Sequence, residues 1–206
     1  MAAIIFDIDG TIADSFDYVA DFLIAQKRLE VLAPEDRQAL RGMTMAGMAR
    51  QIGFRTWQLP GLFLSGRRRM QHSVGHLEPF EGMRDLLHKL HNEGHELFIV
   101  SSNSMRNIRA FLKHHKLDKY FLQIYGGASF FGKRPVLRRL LKEQNLEAKD
   151  AVYVCDETRD ILAAQSLDMR CVAVSWGFAK ADDLRAMRPT AVADTMQELT
   201  AILEEV

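Results

Sequence analysis

Asp7 and Asp9 stand two residues apart at the end of the apolar run Ala2-Ala3-Ile4-Ile5-Phe6, with Gly10-Thr11 directly behind them. On an extended chain, residues i and i+2 leave the same face, so both carboxylates can address one ligand atom. Taken alone, the pattern is equally well a polar strand end running into an Asx-type turn. Three further apolar runs favour a ligand site. Leu97-Phe98-Ile99-Val100 is followed by Ser101-Ser102-Asn103, Gln123-Ile124-Tyr125 by Gly132-Lys133, and Val152-Tyr153-Val154-Cys155 by Asp156-Glu157, with Asp160 beyond. Each has its own structural account: Ser102, Asn103 or Ser104 as a helix cap, Lys133 as a surface lysine, Asp156 as an acid at a helix N-terminus. Together they describe a polyanionic pocket with a hydroxyl and one cation. Asp7, Asp156 and Asp160 gathered in one place repel each other unless a cation bridges them, and oxygen donors suit Mg²⁺. A phosphoryl group adds more negative charge, so Mg²⁺ and Lys133 are both needed before a carboxylate can attack phosphorus. Carboxylates do act as nucleophiles in aspartyl-phosphate chemistry.

The elements that must position these groups follow from periodicity. The N-terminal run reads as a buried strand. Met83, Leu86, Leu87 and Leu90 mark a helix that ends at Gly94, and the strand 97–100 follows. Helices through Ile108-Phe111-Leu112, Leu137-Leu140-Leu141 and residues 158–166 then alternate with strands at 123–125, 152–154 and 171–174. A short helix near Leu184, a strand at 191–193 and a helix through Met196, Leu199 and Leu203 complete the chain. This order predicts an α/β fold, a doubly wound parallel sheet with helices on both faces and ligands beyond the carboxyl ends of the strands.

Residues 14–78 are surplus to one crossover and predict a small inserted all-helical cap. The core is then 1–13 with 79–206. Val19, Phe22, Leu23, Met43, Met48 and Ile52 recur at helical spacings, and Pro34, Gly42, Gly53 and Pro60-Gly61 read as breaks. Met43, Met45, Met48, Phe54 and Trp57 read as cap core.

Composition narrows the classes. The 206 residues carry 27 basic and 27 acidic side chains, a net charge of zero that offers no general attraction to nucleic acid or to an anionic membrane. The 48% hydrophobic share is that of a globular protein, and no run approaches a membrane span. Two cysteines, Cys155 and Cys171, form no CxxC pair, which fits a reducing, cytoplasmic setting. The expected state is a monomer or weak homodimer.

The chain resembles the haloacid dehalogenase-like hydrolases over nearly its whole length. The resemblance rests on Phe6-Asp7-Ile8-Asp9-Gly10-Thr11, Ile99-Val100-Ser101-Ser102-Asn103, Lys133, and Val154-Cys155-Asp156-Glu157-Thr158-Arg159-Asp160. It implies that Asp7 is the nucleophile and that Asp9 protonates the leaving group and then activates water. Ser101 and Lys133 hold the phosphoryl oxygens, with Gly10, Thr11, Ser102 and Asn103 completing the phosphate-binding set. Asp7, the Asp9 backbone carbonyl and Asp156 bind Mg²⁺, supported by Asp160 and Glu157. Asp9 separates phosphatases and phosphomutases from dehalogenases, because an alkoxide leaving group needs a proton. Pro79-Phe80-Glu81-Gly82, Ser175-Trp176-Gly177-Phe178 and the helical insertion are most similar to the phosphoglycolate phosphatase branch. Cys155, where that branch usually has glycine, Ser101 in place of threonine, and Arg134 between Lys133 and Pro135 depart from its pattern.

Seven arginines and no Asp, Glu or Lys lie between Arg37 and Leu77, counting Arg37 itself. One or more of them, Arg41 and Arg50 among the candidates, is expected to bind a second anionic group of the substrate; a solvated or oligomer-facing basic surface is the competing account. The expected activity is a Mg²⁺-dependent phosphatase for a small phosphorylated metabolite, phosphoglycolate-like or a sugar phosphate. A phosphomutase of the β-phosphoglucomutase type is the rival within enzymes, and a phospho-accepting regulatory module without turnover the rival outside them.

Overall fold

The apolar runs that end on polar groups are all strands in the computed structural model, which describes residues 2–27, 34–71, 74–127 and 132–206. They are β1 (Ala3–Phe6), β2 (Glu96–Val100), β3 (Phe121–Tyr125) and β4 (Ala151–Cys155), followed by β5 (Arg170–Val174) and β6 (Ala191–Ala193). All pair in parallel, in the order β3-β2-β1-β4-β5-β6. Strand order reverses direction between β1 and β4, the crevice where open α/β sheets bind ligands. Phe6 is level with Ile99 of β2 and with Val154 of β4, so the three central strands finish within one residue of each other.

Alternation along each strand builds two cores. Ile4, Phe6, Leu97, Ile99, Val152 and Val154 face one layer, formed by α5 (Met83–Asn92), α6 (Met105–His114) and α10 (Met196–Glu204). Ile5, Phe98, Val100, Tyr153 and Cys155 face the other, formed by α7 (Arg134–Glu143), α8 (Thr158–Gln165) and α9 (Ala181–Ala186).

Between β1 and α5 the described residues hold α1 (Phe16–Gln26), α2 (Pro34–Leu40), α3 (Met45–Gln51) and α4 (Leu59–Met70), with short 3₁₀ turns and no strand. These helices bury their own cluster, including Phe16, Leu23, Leu40, Met48, Phe54 and Leu62, and Phe178 enters it from the loop after β5. The stretch leaves and rejoins the sheet at one place: Ala13 bridges Pro79, Asp14 N–H donates to Glu78 O at 2.9 Å and Phe80 N–H to Ile12 O at 2.9 Å.

Two readings of this stretch are corrected. Pro60-Gly61 lies in the first turn of α4, where a missing N–H costs nothing, and does not break a helix. Trp57 is 74% exposed, outside any core. No helix among the described residues is long and apolar enough to cross a membrane.

Candidate functional site

The adjacent carboxyl ends of β1, β2 and β4 deliver the first three groups. Asp7, Ser101 and Asp156 follow the last residues of these strands and are buried. Asp7 N–H donates to Val154 O at 3.0 Å and Ser101 N–H to Tyr125 O at 3.0 Å, so both backbones are still held by the sheet. Asp7 Oδ1 accepts from Ile8 N–H at 2.7 Å, and Asp7 Oδ2 accepts from the Lys133 ammonium. Ser104 caps α6 by accepting from Asn107 N–H, which leaves Ser101, Ser102 and Asn103 to the site.

Lys133 immediately precedes α7 and its side chain is fully buried. Its three ammonium donors go to Asp7, to Asp160 Oδ2 at 2.7 Å and to the Tyr153 hydroxyl at 2.8 Å. Burial works against this charge, but Asp160 and Asp7 outweigh it and hold the ammonium above an ordinary lysine. The sequence reading missed Tyr153: a tyrosine inside an apolar strand reads as core, and nothing local reveals that its hydroxyl meets a lysine.

The turn after β1 wraps around Asp156. Thr11 Oγ1 donates to Asp156 Oδ1 at 3.0 Å and Phe178 N–H to Asp156 Oδ2 at 2.7 Å. Gly10 has φ +77°, and a Cβ there would sit 2.2 Å from Asp156 Oδ2. Gly177 is as tight, with a Cβ position 2.3 Å from Asp156 Oδ2. Both glycines are therefore required by close approach to one carboxylate. Cys155 does not intrude on this loop. Its side chain packs in the layer of α7 and α8, with Sγ 3.6 Å from Cys171 Sγ, and burial pushes its thiol up, the mark of an inert structural cysteine.

Asp9 Oδ2 accepts from Asn103 Nδ2 at 3.0 Å, while Oδ1 has no hydrogen-bond partner among the described residues. Burial and the neighbouring Asp7 raise its pKa to about 6. Burial likewise raises Glu157 to about 7, against the pull of Arg159, whose guanidinium donates to it at 2.8 Å. Asp156 is driven well above the usual carboxylate range by burial, Glu157 and Asp7.

This excess of acid is the physical test for a cation. The five carboxylates Asp7, Asp9, Asp156, Glu157 and Asp160 outnumber the cations Lys133, Arg159 and Arg67 around them, and buried oxygens of Asp9, Glu157 and Asp160 lack partners among the described residues. Among those residues no three His, Cys, Asp or Glu side chains group as a metal cluster. Two carboxylates with a backbone carbonyl are the donor set Mg²⁺ accepts, because it keeps waters and takes phosphate oxygens for the rest. The residues present fit the ion.

Over Asp9 lies a chamber of about 70 Å³ between the helical stretch and the sheet. Phe22, Met45, Phe63 and Met70 from the helices and Phe178 from the core give it apolar walls, and Arg67 and Arg159 supply its cations. Burial lowers the pKa of Arg67, partly offset by Asp9. Met45, read from sequence as core, packs against the cluster of the helical stretch and also forms a wall of this chamber. Arg41 and Arg50 are not: the Arg41 guanidinium lies 4.5 Å from the Phe16 ring centre and 3.8 Å from Asp17, and exposed Arg50 donates to Ala46 O. Arg67 was among the seven arginines, but only the trajectory of α4 distinguishes it. Arg159 was visible inside the Asp156–Asp160 segment.

Comparison with known proteins agrees with this geometry. Residues 4–174 match the family model described as haloacid dehalogenase-like hydrolase. A phosphoglycolate phosphatase of Synechococcus elongatus is 33% identical over 202 residues, covering 97% of this chain and 95% of the relative. A 5′-nucleotidase of Pseudomonas aeruginosa is 30% identical over 128 residues, 61% of this chain and 58% of its own. Among solved structures, a predicted phosphatase from Clostridium acetobutylicum superposes with TM-score 0.83 at 20% identity, covering 100% of this chain and 99% of that one, which supports the fold.

Proposed function

The chain belongs to the haloacid dehalogenase-like hydrolases, and on that premise we propose that it is a Mg²⁺-dependent phosphatase of the phosphoglycolate phosphatase-like branch, working through an aspartyl-phosphate on Asp7. The observation that carries the reading is the convergence of Asp7, Ser101 and Asp156 at three adjacent strand ends, with Lys133 Nζ paired to Asp7 and Asp9 lining the chamber beside them.

In this reading Asp7 attacks phosphorus and Asp9 gives the ester oxygen a proton as its bond breaks. Asp9 then takes a proton from the water that attacks the aspartyl-phosphate. An aspartate that holds its proton toward pH 6 is better suited to the first task than an ordinary one. The Ser101 hydroxyl and the Lys133 ammonium face the phosphoryl oxygens, with Asp160 and Tyr153 holding Lys133 when Asp7 is engaged. Asp7, the Asp9 carbonyl and Asp156 would hold Mg²⁺, which when bound offsets charge on the phosphoryl group.

We read residues 14–78 as a helical cap on a core of 1–13 and 79–206, supported by the separate cluster of its helices and the paired chain passes at Ala13 and Pro79. The chamber beneath it has room for on the order of five water-sized groups. That accommodates a short leaving group such as glycolate. Arg67 and Arg159, rather than Arg41 and Arg50, are the cations placed to meet a carboxylate on it. Two buried cysteines with no CxxC pair favour cytoplasmic residence.

The test is phosphate release from phosphoglycolate, sugar phosphates and nucleoside monophosphates, with Mg²⁺ or a chelator, beside Asp7→Asn. Release should need Mg²⁺, favour phosphoglycolate and vanish in the variant; full activity in Asp7→Asn overturns the reading. Isomerisation without phosphate release selects the mutase.

A further inference from the structure

Three buried amide and carbonyl groups connect Asp9 to the last turn of α4. Asn103 Oδ1 accepts Ser104 N–H at 2.8 Å, which obliges its Nδ2 to face Asp9 Oδ2. Asn107, 2% exposed in the first turn of α6, places its amide between two carbonyl oxygens, Asn103 Oδ1 at 2.9 Å and Arg67 O at 2.9 Å. Both neighbours can only accept, so the group between them is the NH₂ and the orientation of the whole chain is forced. Arg67 O is one of the four carbonyls that an α-helix leaves without an intrahelical donor at its end, and Gln71 N–H turns instead to Arg68 O. Met70, three residues on in the same turn, places Sδ 2.9 Å from Asn103 Nδ2. The end of α4 therefore touches both asparagines.

We propose that Asn107 is a positioning residue that makes the orientation of the Asp9 carboxylate conditional on α4 being seated over the site. The inference rests on the reading of Asp9 as the acid that protonates the leaving group. With α4 in place, Asn107 spends both N–H donors on Arg67 O and Asn103 Oδ1, the Asn103 amide is fixed, and its Nδ2 holds Asp9 Oδ2. With α4 displaced, Asn107 loses an acceptor supplied by that helix, and a buried N–H without a partner favours rearrangement. Proton donation by Asp9 is then available only with α4 seated.

The test separates proton donation from general damage. Native protein, Asn107→Leu and Asn107→Ser are mixed rapidly with phosphoglycolate or with p-nitrophenyl phosphate in Mg²⁺, and the first-turnover rate of leaving-group release is measured. An alkoxide needs the Asp9 proton to leave; nitrophenolate leaves without it. The variants should lose about tenfold on phosphoglycolate, less than about twofold on the nitrophenyl ester, with KM for either ester changed by less than about twofold. Asn107→Ser, polar but too short to span both carbonyls, replaces Asn107→Leu if the latter does not fold. Equal losses on both esters, or no loss on either, overturn the inference while leaving the phosphatase reading intact. A native protein that releases phosphate from neither ester overturns both.

Discussion

Asp7, Ser101 and Asp156 reach the site through backbone register, whereas Phe22, Met45 and Arg67 reach it through the way α1, α3 and α4 happen to stack. The first set follows strands buried on both faces and locked to neighbours by parallel ladders, so each side chain's position is a property of the whole sheet. The second set hangs on four helices with a smaller cluster of their own. On the proposed reading, chemistry is tied to the element that costs most to deform, and recognition to the element that can change without disturbing it.

The largest test of that division is Asp7→Asn, which should abolish turnover, a loss of more than about 4 kcal/mol in transition-state stabilisation, while near-UV and far-UV spectra stay native. Persistent turnover would mean that the strand ends do not carry the chemistry. Gly10→Ala comes next: φ is +77° and the added Cβ falls on Asp156 Oδ2, so urea unfolding should show about 3 kcal/mol of destabilisation and Mg²⁺ affinity should drop with it. Arg159→Ala and Arg67→Ala should each raise KM for phosphoglycolate about tenfold to a hundredfold, equivalent to about 1.5–3 kcal/mol for a charged hydrogen bond, with little change for an ester lacking a carboxylate. Equal effects on both esters would move these arginines from recognition to structure. At the small end, Trp57→Ser should change unfolding free energy by less than about 0.5 kcal/mol, because that ring is 74% exposed.

The same division governs what could be read without coordinates. Strands and their helices announce themselves by local periodicity, and polar residues stand out where an apolar run ends, so Asp7, Ser101 and Asp156 were legible one strand at a time. Tyr153 was not, because its hydroxyl matters only through a lysine twenty positions away. Asn107 was hidden for a similar reason: its partners lie on two other segments, one of them forty positions earlier. Among the cap arginines, composition marked the group, but helix phase and crossing geometry decide that Arg67 lines the chamber while Arg41 stacks on Phe16. Pro60 shows the limit of punctuation rules, since the same residue ends one helix or opens another depending on its place in the first turn.

Ala13 and Pro79, paired where the helical stretch leaves and returns, have a consequence for exchange between proteins. Because entry and exit are already neighbours, the loop that joins them is closed whatever lies between, and lengthening that insert raises its closure entropy only with the logarithm of its length. A different set of helices spliced at this joint would inherit the proposed nucleophile, which makes the seam a natural graft point for retargeting the hydrolase to other leaving groups.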